Sequence, residues 1–490
     1  MSASMLEVLG ALIACGGTGA ALVLVEPRRR YAAMGLGLAA AVGLIAGEVA
    51  DQQRFDDLIS QPGALALALV LGGTALGATA ATFQRVPAAF AIAAFAVIPL
   101  RIPIEIGGET NFLLIPLYGV IAGGFLRGMW LCAVRREDEL RTASAPRAGE
   151  PPSIRYLSIA LAASLVVYGV GVAWSDDPTN AVRTVAFFLA PFASMLALLR
   201  DVRWYRKLVG KVLLGSAIVA TGFAVIALAQ YASRDLLLNQ ELKDANQLHL
   251  YFRVNSLFRD PNVLGRYLAL VVIGVAAWIA WQRPRREVAA GAAVSAVLLA
   301  ALFLTYSQTS FAALAAGLGV LLCLRLGKQG VAGAGVLAAV AVAVVLVVGG
   351  PSRDESVDTG RTDLAEVSSG RTDLVGGGID LFRQAPITGQ GSGSFATAYR
   401  REIDKVRKPV SHTEPITVAA EQGILGLVPY FATLVFAGLV LFRPWPAGDP
   451  TRAGVAAAFC ALFVHSIGYA GFAIDPVTWG LLALGLALRE

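Results

Sequence analysis

With 490 residues, 56% of them hydrophobic, and a mean hydropathy of +0.66, the chain has too little polar surface for a soluble globule and reads as a polytopic membrane protein. Its formal net charge of +6 comes without any base-reading or RNA-binding motif, so no nucleic-acid partner is expected and the basic residues are read as topology signals. Cys15, Cys132, Cys323 and Cys460 fall within or at the ends of apolar blocks with no short metal-ligand spacing, which argues against zinc or a disulfide.

A helix-length window divides the chain into about fifteen apolar blocks, each near the ~20 residues that cross a hydrocarbon core of about 30 Å. The predicted fold is therefore all-α and polytopic, with residues 1–134 forming N-terminal transmembrane helices and 135–155 a charged, proline-containing cytoplasmic linker. Core transmembrane helices follow over 156–349, interrupted by a polar external loop at 231–265. A large external loop occupies 350–415, and C-terminal transmembrane helices fill 416–490.

The first block, from about Met5 to Val25, precedes the cluster Arg28-Arg29-Arg30, which the positive-inside rule assigns to the cytoplasm, so the N-terminus is placed outside. That block has no basic region before it and reads as a retained span, not as a signal peptide. Along the chain, Gln84-Arg85, Arg135 to Arg155, Arg200 to Lys207, Arg283 to Arg286, Arg325 to Lys328 and Arg443 to Arg452 fall inside. Asp51 to Asp57, Arg101 to Glu109, Ser175 to Pro178, Tyr231 to Gly265, Tyr306 to Ser310, Gly349 to Pro415 and Gly471 to Pro476 fall outside, and Arg489-Glu490 ends inside. The last block, about Val477 to Leu488, is short enough to be re-entrant. An even number of spans separates the two long polar loops, so both are expected to open on one external face and to share a site.

The first of these loops holds Tyr251-Phe252-Arg253-Val254-Asn255-Ser256-Leu257-Phe258-Arg259-Asp260-Pro261-Asn262. Asp260-Pro261 is a turn signal and Asn262 is placed at the N-cap of the next span. Arginines beside a helix N-terminus attract phosphate through bidentate donation and exposed backbone amides; equally, Arg253 and Arg259 fit interfacial anchors that snorkel to lipid headgroups.

In the second loop, Gly360-Arg361-Thr-Asp-Leu364 recurs as Gly370-Arg371-Thr-Asp-Leu374. Leu374, Ile379, Leu381 and Phe382 then mark a short amphipathic helix along the membrane surface, positioned to cover a cavity between the spans. The run Gly389-Gln-Gly391-Ser-Gly393 lacks a preceding strand and a following lysine, so it is read as a lid hinge or tight turn and not as a nucleotide loop.

His412 stands at the membrane-water boundary, where an imidazole serves either as a general base at neutral pH or as a hydrogen-bonded polar residue at a helix start. His465 lies mid-span beside Ser466 and Tyr469 and reads as a packed core histidine; His249 has no supporting context. Glu421 lies in the apolar stretch after His412, and a carboxylate at mid-bilayer costs about 2.5 to 3.5 kcal/mol on insertion scales. It is expected to face the protein interior or a wet cavity, there to orient His412 or an arginine, or to form a structural ion pair.

Taken together these residues resemble the O-antigen ligase and polymerase superfamily of bacterial membrane glycosyltransferases. The likeness rests on His412-Thr413, nine residues and Gly423-Ile-Leu-Gly426; on Arg253 to Leu257 followed by Asp260-Pro261-Asn262; and on Ser369-Gly370-Arg371 leading to Pro386-Ile-Thr-Gly389-Gln-Gly391. It extends from about Ser153 to the C-terminus, and because the count of about fifteen spans exceeds by three the twelve usual in that family, residues 1–134 are expected to be partly an N-terminal extension to the ligase-like core.

The resemblance implies inverting, metal-independent and cofactor-free transfer of a glycan from an undecaprenyl pyrophosphate carrier to a glycan, lipid or protein hydroxyl, at the external face of the bacterial plasma membrane. It implies that Arg253 and Arg371 bind the pyrophosphate and that His412 takes the acceptor proton. Membrane lipid is the remaining partner, and no Asp-x-Asp pair stands in the external loops. Two residues depart from the family pattern: Thr413 follows the histidine, and Gln308 stands where an arginine is common, leaving Arg259, Arg361 or Arg266 to replace that charge. A polytopic transporter or flippase of a lipid-linked or anionic substrate is the rival reading. It would place charged or broken spans near the midplane and show a repeated half, neither of which is evident here.

Overall fold

The computed structural model describes residues 3–50, 62–106, 109–140, 151–237, 242–243, 246, 251–281, 283–348, 371–403 and 413–488. His412, Arg361, His249, the first copy of the Gly-Arg-Thr-Asp-Leu repeat, the Asp51 to Asp57 segment and the C-terminal Arg489-Glu490 lie outside the described residues.

Each apolar block is a helix. The chain runs α1 (Met5–Val23), α2 (Pro27–Ala50), α3 (Pro62–Arg85), α4 (Ala88–Val97), α5 (Ile115–Ala133), α6 (Pro152–Gly171), α7 (Pro178–Thr184), α8 (Ala190–Arg200), α9 (Arg206–Ser233) and α10 (Pro261–Ala280). It continues with α11 (Arg285–Leu304), α12 (Gln308–Leu326), α13 (Lys328–Val348), α14 (Arg371–Gln384), α15 (Phe395–Glu402), α16 (Glu414–Phe442), α17 (Pro450–Gly468) and α18 (Pro476–Ala487). Among the described residues, eleven helical segments are long and apolar enough to cross a membrane, α7 and α8 counting as one through the π-helical turn Val185–Leu189. The helices α3 and α13 add 24 and 21 residues. With 10 and 12 residues, α4 and α18 extend only about 15 and 18 Å, shorter than a hydrocarbon core.

One departure from an all-helical chain is a two-stranded antiparallel hairpin, β1 (Ile102–Ile106) with β2 (Glu109–Leu113), in register Ile102 to Leu113 and Ile104 to Asn111. Ile102, Ile104 and Ile106 alternate at period two and Pro103 denies a helical hydrogen bond, so this connection takes extended structure.

Sequence-local chemistry starts the helices. Ser4 and Glu7 form a capping box at α1, with Glu7 N–H to Ser4 Oγ at 3.2 Å and Ser4 N–H to Glu7 Oε2 at 2.7 Å. Asp-Pro pairs open α7, α10, α17 and α18: the carboxylates of Asp177, Asp260, Asp449 and Asp475 accept first-turn amides while the proline presets the backbone. The N-cap of α10 is therefore Asp260 and not Asn262, which sits inside the first turn and donates its amide to Asp260 Oδ1 at 2.7 Å. Pro191 leaves the Phe187 carbonyl without its helical donor, and the Tyr118 hydroxyl supplies one at 2.8 Å.

The helices α8, α10, α17 and α18 are buried along most of their length, and α9, α11 and α16 lie outside them. The outer helices present Leu214, Ile218, Val225, Val428 and Val435 outward, a surface that suits hydrocarbon. One end of the bundle is tied by ion pairs. Arg30 bonds Asp201 in a buried pair joined by the Tyr31 hydroxyl at 2.7 Å, and Arg28 reaches Glu137 at 2.5 Å. These residues come from segments that the charge pattern assigns to the inside. The opposite end, called here the loop end, carries the candidate site.

Candidate active site

The loop before α10 is held rigidly. Gln230, buried in the last turn of α9, clamps Ser256 from both sides: its Oε1 accepts the Ser256 amide at 2.7 Å and its Nε2 donates to the Ser256 carbonyl at 2.9 Å. Asn255 Nδ2 donates to the Phe258 carbonyl at 2.6 Å, and the Val254 amide to the Leu304 carbonyl at 3.2 Å. Arg253 is thereby laid against the junction of α11 and α12, where its Nε donates to the Thr305 carbonyl at 3.0 Å. Burial pulls its pKa down from the ordinary guanidinium value, and nearby Asp260 opposes that shift. The two arginines differ in setting: Arg253 turns inward, and Arg259 is exposed.

The start of α10 is tied to the end of α17. The Tyr469 hydroxyl donates to Asp260 Oδ2 at 2.8 Å, and burial, seconded by Asp260, raises its pKa, so it stays a donor. One turn deeper, His465 is fully buried with Nε2 at 3.2 Å from Thr309 Oγ1 and 3.3 Å from Ser310 Oγ, as a packed core histidine should be. Arg266 makes a buried ion pair with Asp475, the cap of α18. Gln308 opens α12 directly after its cap Ser307.

The first turn of α16, immediately after His412, is fixed by a residue that sequence reasoning passed over. The Glu414 carboxylate accepts the amides of Gly471 at 2.6 Å, Phe472 at 3.1 Å and Ala473 at 3.3 Å. This segment, 471–473, directly follows Tyr469. Tyr469 thus grips the Arg253 loop at Asp260, and two to four residues farther on the chain grips the first turn of α16.

Farther into α16, Gly423 takes a positive φ of 59° and breaks the helix. Into the break runs the segment after α14. Ile424 and Leu425 donate to the carbonyls of Pro386 and Ile387 at 2.9 and 3.2 Å, while Gln390 and Gly391 donate to those of Ala420 and Glu421 at 2.8 and 2.9 Å. A Cβ on Gly423 would lie 2.4 Å from the Ile387 oxygen and one on Gly389 2.2 Å from the Glu421 carbonyl carbon, which is why glycine occupies both positions.

Glu421 does not orient an arginine in the described structure. It is buried and accepts the amides of Gly393 at 2.9 Å and Phe395 at 3.1 Å, because a desolvated carboxylate finds its donors in the nearest free backbone N–H groups. Ser392 donates its amide and hydroxyl to the carbonyls of Gly171 and Tyr168 at the end of α6. The glycine run is therefore a tight, buried turn and no lid hinge. On α14, Leu374 and Leu381 pack with Phe395, Tyr399 and Ala420, whereas Ile379 is exposed, so the buried face is narrower than the apolar pattern predicts. Arg371 is the first residue of α14.

A further cation was missed in the sequence. Arg101, at the foot of β1, lies in the field of Asp475, Arg266 and Tyr469, and burial lowers its pKa. It stands among the N-terminal helices, outside both long polar loops, and only tertiary packing brings it to the loop end. Among the described residues there is no group of His, Cys, Asp and Glu arranged to hold a metal.

The family model described as O-antigen ligase matches residues 293–431, from α11 into α16. The matched stretch contains the break at Gly423, the turn that fills it and the positions of Gln308, Arg361, Arg371, His412 and Glu421. Over this stretch the chain is similar to the O-antigen ligase family. No curated protein matches the chain. The general activity of an O-antigen ligase is glycan transfer, here in a multi-pass membrane protein. Arg253, Arg259, Asn262 and Arg266 lie before the matched segment, and the hydrogen bonds of Arg253 to Thr305 and of Ser310 to Asn262 connect their region to it.

Proposed function

We propose that the protein is an inverting, metal-independent glycosyltransferase that moves a glycan from an undecaprenyl pyrophosphate carrier to an acceptor hydroxyl, on the outer face of the bacterial plasma membrane. His412 takes the proton as the acceptor oxygen attacks the anomeric carbon from the side opposite the carrier. The bond from that carbon to the pyrophosphate oxygen breaks, and the pyrophosphate leaves with the electron pair. Arg253 and Arg371 hold the departing charge, a task suited to fixed guanidinium donors in a site shielded from water. Arg259, Asn262, Arg361 and Gln308 extend the donor-binding surface, Arg266 supports it from behind through its buried pair with Asp475, and Glu421 positions the turn beneath it.

The observation that carries this reading is the linkage through Tyr469 and Glu414, which draws the loop of Arg253 and the helix that begins beside His412 to one end of the bundle. An outward-facing site is supported by the basic clusters, which the alternation of spans gathers at the other end. The test is transfer from purified lipid-linked oligosaccharide in vesicles, with the anomeric configuration of the product followed by NMR and EDTA added in parallel. Inverted product formed at an unchanged rate in EDTA is expected; retained configuration or loss of rate on chelation would overturn the mechanism.

A further inference from the structure

Beside the site, Arg101, Arg266 and Asp475 meet in a small cavity between the end of α4, the first turns of α10 and the start of α18. Arg266 and Asp475 are 5% and 3% exposed. Both oxygens of Asp475 are occupied, Oδ2 by Arg266 and Oδ1 by the Val477 amide at 2.8 Å. Arg266 Nη1 and Arg101 Nε are withdrawn from solvent and have no hydrogen-bond partner among the described residues. Among the described side chains lining the cavity, two guanidinium groups face one carboxylate, which leaves one positive charge for an anion to complete.

The cavity shares Ile98, Tyr267, Leu270 and Val477 with an apolar slot of about 130 Å³, which runs between α4, α9, α10, α17 and α18 as far as Trp278 and Thr451. Leu213, Gly274 and Trp278 on its lining are partly exposed, so the slot opens sideways toward the hydrocarbon. A charged pocket leading into an apolar slot matches an amphiphile, and the count of charges selects its class. A phosphodiester carries the one negative charge required, whereas a diphosphate carries more and would leave the pocket negative.

We propose that an anionic glycerophospholipid occupies this site, its phosphodiester between Arg101 and Arg266 and an acyl chain in the slot. The lipid joins α4 to α10 and α18 directly behind the bond between Asp260 and Tyr469. This inference stands apart from the transferase reading, because its test reads bound lipid and not transfer.

The full chain is reconstituted in phosphatidylcholine nanodiscs containing a minority of phosphatidylglycerol, then released and weighed by native mass spectrometry. One retained phosphatidylglycerol per chain is expected, with Arg101→Gln reducing retention at least about tenfold. Equal retention in Arg101→Gln, or retention of phosphatidylcholine as well as phosphatidylglycerol, overturns the proposal. So does displacement by undecaprenyl diphosphate added at the same concentration, or by inorganic phosphate alone. If Arg101→Gln does not fold, the headgroup competition on the unaltered chain decides by itself.

Discussion

The hydroxyl of Tyr469 donates to Asp260 Oδ2 at 2.8 Å, so one hydrogen bond couples the capping carboxylate of α10 to the chain leaving α17. Asp260 also accepts the Asn262 amide, and its two roles are separable. Tyr469→Phe removes only the inter-helix bond and is expected to cost about 1 kcal/mol. Asp260→Ala removes the cap as well and is expected to cost about 2 kcal/mol. Thermal unfolding of both single variants and the double variant checks this. The double variant should be no less stable than Asp260→Ala, since the tyrosine has then already lost its acceptor; fully additive losses would show that the bond carries nothing.

Glu421 supports the turn that fills the break in α16. Glu421→Gln replaces an acceptor of two amides by a group that presents a carbonyl to one and an N–H to the other. A loss of roughly 2 kcal/mol is expected, with the turn loosened before the whole protein unfolds. Hydrogen exchange read at Gly393 and Phe395 is the measurement: protection there should fall in the variant while the amides of α10 keep theirs. Unchanged protection would assign the anchoring of the turn to Ser392 alone.

How much of this was legible beforehand depends on how far apart the partners lie. The Asp260-Pro261 helix start is local chemistry and can be read within three residues, although the cap fell on Asp260 and not on Asn262 because the proline fixes which carboxylate faces the first amides. The apolar blocks were equally legible, since each is its own signal. Glu421 was visible as a buried carboxylate needing donors, but its donors belong to a turn 28 residues upstream that only folding brings near. Glu414 bonds 57 residues downstream, and nothing in its own neighbourhood announces that. Arg101 reads as one more charge in an external connection until the fold sets it beside Arg266 and Asp475. The break at Gly423 is likewise hidden, because Gly423-Ile-Leu-Gly426 continues an apolar helix pattern without interruption.

That break gives a prediction with an internal control. Gly423→Ala places a side chain at positive φ and within 2.4 Å of the Ile387 oxygen, and a destabilisation of at least about 2 kcal/mol is expected. Gly438, in the same helix, has open space where a Cβ would stand. Gly438→Ala should therefore be neutral or stabilising by about 0.5–1 kcal/mol through helix propensity. Melting temperatures of the two variants in one detergent check the contrast, and equal shifts would remove the case for a required glycine at the break.

The proposed chemistry is probed most directly at His412 and Arg253, whose losses should differ in kind. His412→Ala removes a base needed only as the acceptor proton moves, so the transfer rate should fall by about 10²- to 10⁴-fold while donor affinity stays the same. Arg253→Lys keeps the charge but gives up the planar fork and the Nε donor that holds the side chain on the Thr305 carbonyl. It should weaken donor binding and lower the rate together, by roughly tenfold or more. Arg259 lies exposed at the rim of the donor surface, where a lysine supplies the same solvated charge, so Arg259→Lys serves as the comparison and should change either quantity by less than about threefold. Single-turnover transfer with labelled lipid-linked oligosaccharide, measured across donor concentrations, separates the two effects. Full transfer by His412→Ala would withdraw the general base, and equal responses to lysine at positions 253 and 259 would return Arg253 to the role of a lipid anchor.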